Sequence, residues 1–322
     1  MVEHGQSPCD FAHMLPILLK TLPFFAVIGL GFAAGRTRFF SDEATSYLTK
    51  FVFYFALSAM LFGFAANLDV VAVFSWGFVA AYLLGSGAVW ALVLAVAKMR
   101  GAGLQEAVFE AQTGVIGNVG FLGIPMLSLL MGKAAVGPVL LVLSLDLIVF
   151  SSVLTIVITV VRGGAVTAGI FRQLALGLAS NPMIVSMVLG LAWGAAGWPL
   201  PVPIAEFLTL LGAAATPCAL FAIGASLAGR RADRVEVAVW LSFAKLVLHP
   251  AAVAIAALWI FTVDRYAAGV MIAAASLPVA GNVFILAQHY GVAPQRVSAA
   301  ILISTVISVV SVTAVIALVG GV

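Results

Sequence analysis

Charge is what this sequence has least of. Only 8% of its 322 residues are Asp, Glu, Lys or Arg, where a soluble domain carries about 25%. Hydrophobic residues make up 64%. No water-soluble core of this size could hide that much apolar surface, so a soluble globular fold is excluded. The 15 basic and 12 acidic residues leave a net charge of +3, and the basic ones sit in short loops, so nucleic acid is not an expected partner. Cysteine is nearly absent: Cys9 lies in a polar tail and Cys218 in an apolar run, and no disulfide is expected. The opening tail carries Glu3 and Asp10 without a basic stretch, so no secretory leader is expected. Enzyme signatures are missing: there is no HExxH, no GxSxG and no P-loop with its lysine. Lack of an ATP site excludes an autonomous primary pump. The four histidines are scattered, and neither a metal site nor a cofactor is expected.

What the chain does contain is a series of apolar runs about 20 residues long, the length that crosses a bilayer. They fall near 14–35, 44–64, 70–97, 106–131, 136–161, 174–197, 203–229, 235–262, 266–288 and 296–320. This predicts an all-α polytopic membrane protein with ten transmembrane helices and no soluble domain. With the N-terminus outside, Arg36, Arg38, Lys98, Arg100, Arg162, Arg172, Arg230, Arg231, Arg234 and Arg296 fall inside, and only Lys133 and Arg265 clearly fall outside. The positive-inside rule therefore predicts both termini outside the cytoplasm.

Two of the runs are interrupted. GNVGFLGIP covers Gly117 to Pro125, and LPVAGNVF covers Leu277 to Phe284. Proline removes a helical hydrogen bond and clashes with the preceding turn. The freed backbone groups need protein or a water-filled cavity around them in lipid. Such breaks in corresponding halves point to a transporter's substrate site. The halves do correspond. At an offset of 159 residues, Pro23 and Gly31 fall on Pro182 and Gly190, and Ala56, Leu61 and Phe62 fall on Ala215, Leu220 and Phe221. Gly117 and Pro278 match at nearly the same offset. Five spans per unit is an odd number, so the second unit is inverted. Residues 1–161 form the first predicted repeat and 174–322 the second. Exchanging the conformations of the two halves would turn an outward-open protein into an inward-open one, with the site where the broken helices meet.

Each break exposes backbone N–H groups and the positive end of a helix dipole, which suits an anion. Asn118 and Asn282 add amide donors fit for a carboxylate, or cap the broken helices. Gly117, Gly120, Gly123 and Gly281 allow close backbone approach. Asp146, deep in the fifth span, is a candidate to carry a proton or a sodium ion, or a hydrogen-bonded structural aspartate. Ser144 could line the same cavity. Ser304, Thr305, Ser308 and Ser311 read as helix packing rather than a path. Lys245 is expected to snorkel to the inner surface, with His249 a buried structural histidine. Glu106 is placed at the interface, Glu110 and Gln112 at a cavity mouth, and Lys50 as an anchor of the second span.

GNVGFLGIP, NPMIVSMVLG, TPCALFAIGASLAG, KLVLHP and LPVAGNVFILAQHYG, in that order, resemble the auxin efflux carrier family, whose bacterial branch includes malate and malonate permeases. The resemblance spans nearly the whole chain. It implies two inverted five-helix repeats in a fold similar to sodium/proton antiporters and bile-acid transporters, with the broken fourth and ninth spans crossing. It implies a scaffold of 14–64 and 174–229, and a transport domain of 70–161 and 235–322 that moves like an elevator. Plant members hold the substrate carboxylate with a Pro-Asn pair at each crossover. Here the first pair reads Gly117-Asn118 and the second Pro278-Val279, and Asn282 lies one turn beyond. An Asp/Lys support site of the plant third span is not carried over, since only Asp69 stands there. The expected function is secondary active transport of a small mono- or dicarboxylate in a bacterial inner membrane. The expected substrate contacts are Asn118, Gly117, Gly123, Pro125, Pro278, Val279, Asn282 and Ser144, and Asp146 is the proton or sodium candidate. Alternatives are a sodium-coupled carrier of the bile-acid type, or a channel or sensor. A homodimer through the Gly- and Ala-rich scaffold helices is also expected.

Overall fold

The computed structural model describes residues 11–68, 74–162, 168–229 and 235–320. Glu3, Cys9, Asp10, Asp69, Arg230, Arg231 and Arg234 lie outside the described residues, and so do the expectations attached to them. The described chain is helical throughout. The helices are α1 (Phe11–Arg36), α2 (Asp42–Ala66), α3 (Trp76–Met99), α4 (Leu104–Val115), α5 (Val119–Leu130), α6 (Lys133–Val161) and α7 (Ala168–Ala179). They continue with α8 (Pro182–Ala195), α9 (Val202–Ala228), α10 (Val235–Ile260), α11 (Arg265–Ala275), α12 (Gly281–Tyr290) and α13 (Pro294–Val319).

Seven of these are long and apolar enough to cross a membrane: α1 from Leu15 onward, α2, α3, α6, α9, α10 and α13. In their most apolar stretches only 22% to 44% of residues are buried inside the protein. Leu30 on α1 is 63% exposed and Leu210 on α9 is 78% exposed. Surfaces of that kind have no stable contact with water over a whole helix and belong against lipid. The chain is therefore a multi-pass membrane protein.

The remaining predicted runs are each divided into two shorter helices. Two divisions fall where proline and glycine were expected to break the helix, between α4 and α5 and between α11 and α12. The third does not. The run at 174–197 is split at Ser180 and Asn181, because the Asn181 side chain accepts a hydrogen bond from the Met183 amide at 3.0 Å and caps a new helix with Pro182 at its first position. Pro23, its partner at the 159-residue offset, stays inside the continuous helix α1.

Two helix pairs pack at glycine. A β-carbon at Gly31 of α1 would lie 2.1 Å from the Phe221 carbonyl oxygen of α9, and one at Gly190 of α8 would lie 2.6 Å from the Phe62 carbonyl oxygen of α2. Only hydrogen fits at either place, so the backbones touch. Elsewhere, Glu110 in the middle of α4 is buried with two arginines. Arg296 at the start of α13 reaches it at 2.5 Å, Arg100 from the loop after α3 pairs with it from the other side, and Arg296 also lies 3.4 Å from Glu106. This revises the expectation for Glu110 and Gln112: both are buried, and neither lines the two clefts described below. Lys50 lies 5.3 Å from the centre of the Tyr47 ring on the same helix.

Candidate functional site

The two breaks meet. The Asn118 amide donates to the Pro278 carbonyl at 2.8 Å, and the Ala280 amide donates to the Ile116 carbonyl at 3.1 Å. Gly117 and Val279 face each other across this short antiparallel bridge. Donors and acceptors left unsatisfied by two interrupted helices thus satisfy one another. The Val279 amide is satisfied by the Ser304 hydroxyl of α13 at 3.1 Å. Ser304 was read as packing; it is instead part of the crossing. Serine-to-alanine at 304 leaves a buried amide without an acceptor, and a loss of about 1–3 kcal/mol is expected. Thermal unfolding of Ser304→Ala beside Ser308→Ala, whose hydroxyl bonds only its own helix at Thr305, measures it. Equal melting of the two variants would remove Ser304 from the crossing.

Gly123 of α5 packs against the second break, where a β-carbon would come within 2.6 Å of the tip of the Leu277 side chain. Pro125 stands at the second position of the regular part of α5, and its carbonyl accepts from the Ser128 hydroxyl at 3.0 Å.

One face of the crossing opens into a cleft of about 380 Å³, counting its mouth. Asn118, Pro278, Val279 and Gly281 form its floor, Ile28 of α1 and Ile223 of α9 one wall, and Ile301 and Thr305 of α13 the other. No acidic or basic side chain lines it. Asn118 is only 5% exposed, and it makes no capping bond to its helix. The Asn282 oxygen is buried with no hydrogen-bond partner, but Asn282 stands off the cleft floor.

A second cleft, of about 300 Å³ counting its open mouth, lies apart from the crossing, lined by Leu68, Leu140, Leu141, Ser144, Met187 and Leu191 together with Gly137. Ser144 belongs here. Its hydroxyl donates to the Leu140 carbonyl at 2.6 Å and lies 3.4 Å from the Met187 sulfur. Grouping it with Asp146 fails for a geometric reason: two residues along a helix is about 200° of rotation, which turns the two side chains to opposite sides.

Asp146 points the other way, into a buried polar cluster behind the crossing. The Tyr82 hydroxyl of α3 donates to one carboxylate oxygen of Asp146 at 2.7 Å, while the other oxygen is buried without a partner. Beside them Ser86 meets the His249 Nε2 at 2.8 Å, and His249 Nδ1 lies 3.0 Å from the Lys245 Nζ. Lys245 donates to the Ala275 carbonyl at the end of α11. It does not snorkel: it is 0% exposed. The acceptor that draws it inward is the unsatisfied carbonyl end of the broken helix, where a cation is favoured. Tyr82 carried no signal in the sequence, because an aromatic on an apolar helix is ordinary. Lys245 carried one, a cation amid apolar residues in KLVLHP, whose direction depended on the tertiary fold. Three wide π-type turns, Val119–Gly123, Asp146–Phe150 and Ala244–Leu248, surround this region; such turns gather at functional sites.

The family model described as membrane transport protein matches residues 16–316. A protein of Rhizobium meliloti (strain 1021) described as "Putative malonate transporter" is 32% identical over 307 residues, covering 93% of this chain and 95% of that protein. The motifs at the crossing and the match over nearly the whole length agree, and this chain belongs to the membrane transport protein family, that of the auxin efflux carriers.

Proposed function

We propose that this protein is a secondary active transporter of a small carboxylate, malonate or a close relative, working by alternating access. The observation that carries the reading is the cleft floor: a buried asparagine amide and the start of α12 at Gly281, beside a reciprocal crossing of two broken helices. An amide donor and an open helix N-terminus favour a carboxylate, and the relative described as a malonate transporter supports that class.

The inverted repeat is supported by contacts that exchange roles. Gly31 packs on Phe221 and Gly190 packs on Phe62; Gly31 and Gly190 are 159 residues apart, and so are Phe62 and Phe221. The two hydrogen bonds of the crossing exchange in the same way at an offset of 162 residues. The clefts also correspond. Ile301 and Thr305 of the first stand 161 residues after Leu140 and Ser144 of the second, and Met187 stands 159 after Ile28. On this reading α1, α2 and α7 to α9 form the scaffold. The other helices form the moving domain, and the second cleft is the access path that opens when the first closes. By the positive-inside rule, the basic loops favour the first cleft facing the cytoplasm of a bacterial inner membrane.

The test is thermal stabilisation of the purified protein across a panel of carboxylates, malonate included, with Asn118→Ala alongside. A ligand that binds only the folded state raises its stability by mass action. We expect a shift for malonate or a near relative, and a loss of about 1.5–3 kcal/mol in its binding in Asn118→Ala, the worth of a hydrogen bond to a charged group. A shift unchanged in that variant, or shifts only with cations or neutral compounds, would sink the assignment.

A further inference from the structure

The buried cluster behind the crossing is not used by anion binding itself. It holds Asp146 and Lys245 at 2% and 0% exposure, yet among the described residues neither makes an ion pair at contact distance. Side chains link them: the Tyr82 that holds Asp146 has its ring 6.0 Å from the His249 ring, and His249 touches Lys245. The titratable groups facing them are Tyr82 from α3 and His249 from α10; the break at Gly117 and the end of α11 at Ala275 bring backbone against Lys245. An ion taken out of water is costly unless its hydrogen bonds are made good. Asp146 has one donor and one bare oxygen. Lys245 lies directly behind the crossing, since a β-carbon at Gly117 would sit 3.2 Å from its Nζ. Gly117 is the chain neighbour of Asn118, which lines the cleft floor.

From this geometry we infer that Asp146 and Lys245, supported by Tyr82 and His249, form a proton site that fills as an anion enters the crossing. In the empty state the pair holds one proton, on Lys245, with Asp146 ionised and zero net charge. As an anion arrives, one further proton from water binds the bare oxygen of Asp146. Lys245 then stands as an unmatched cation behind the crossing, and the interior gains no net charge for a singly charged ligand. Release of the anion returns that proton to water. Ligand and proton therefore bind together, which makes the protein a proton-coupled carrier. This rests on the proposed anion site, but the proton site can be examined without any anion.

The deciding experiment is the pH-difference infrared spectrum of the protein in lipid vesicles. We expect a protonated-carboxyl stretch that grows as pH falls, absent from Asp146→Asn, shifted in Lys245→Met, and perturbed in Tyr82→Phe should the first two fold poorly. The same band in Asp146→Asn, or its loss when sodium replaces choline at fixed pH, overturns the proton site. With malonate as the probe between pH 7 and 9, where its carboxylates are ionised, affinity should fall with rising pH by as much as about tenfold per unit for one linked proton. It should be flat in Lys245→Met. A flat profile in the unchanged protein overturns the coupling. If malonate fails to bind at every pH, the failure belongs to the anion site, and the infrared band still decides the proton site.

Discussion

Replacing Glu110 by alanine is expected to cost about 3–5 kcal/mol of stability, the range for breaking a buried ion pair by removing one partner. The size comes from what is left behind. Arg296 has a side chain only 8% exposed, and its close carboxylate is Glu110; Glu106 lies farther off at 3.4 Å and is itself 42% exposed. Without Glu110 the guanidinium is stranded beside apolar helices, and Arg100 loses the same partner. The penalty should shrink when the charge is removed with its counter-charge, because a buried pair exchanged for well-packed apolar residues is often neutral. Thermal unfolding of Glu110→Ala, Arg296→Met and the double variant forms the cycle. Strict additivity of the single losses would show that the pair does not tie α4 to α13.

Valine at Gly31 should be almost as damaging, through sterics rather than charge. Its β-carbon would fall 2.1 Å from the Phe221 carbonyl oxygen, a clash that only separation of α1 from α9 can relieve. Overpacking costs about 1–3 kcal/mol and occasionally more, and here the obstacle is backbone, which cannot rotate away. Gly29, on the same helix, has nothing within 4 Å of its β-position, so Gly29→Val is the internal control and should melt like the unchanged protein. The proposed repeat adds a second demand: Gly190→Val should lose a similar amount against Phe62. A tolerant Gly190 beside an intolerant Gly31 would count against equivalence of the two halves.

The sequence made the membrane class and the two breaks legible because both rest on local chemistry. Long apolar runs have few other uses, and a proline with glycines in such a run has consequences within one turn. The meeting of the breaks could be expected from the repeat and from the family resemblance. What could not be read was direction around a helix. Ser144 and Asp146 are near neighbours in the chain and far apart around the axis. Lys245 could have reached for water or for a bare carbonyl, and only the position of Ala275 decides between them. The burial of Glu110 depends on Arg296, 186 residues away. Asn282 resembled a second Asn118, yet the bridge places Ala280 opposite that role.

The reciprocal hydrogen bonds between residues 116–118 and 278–280 have a mechanical meaning. On the proposed mechanism they work as a rivet: neither broken helix would slide or swing without carrying the other. Cargo resting on the rivet would travel with its whole socket, gripped by the same atoms at the start of the stroke and at the end. A socket of constant shape holds its passenger equally well on either side of the membrane. On the proposed reading such a machine has no built-in preference for import or export, and the gradients of cargo and of protons together set the direction of net flow.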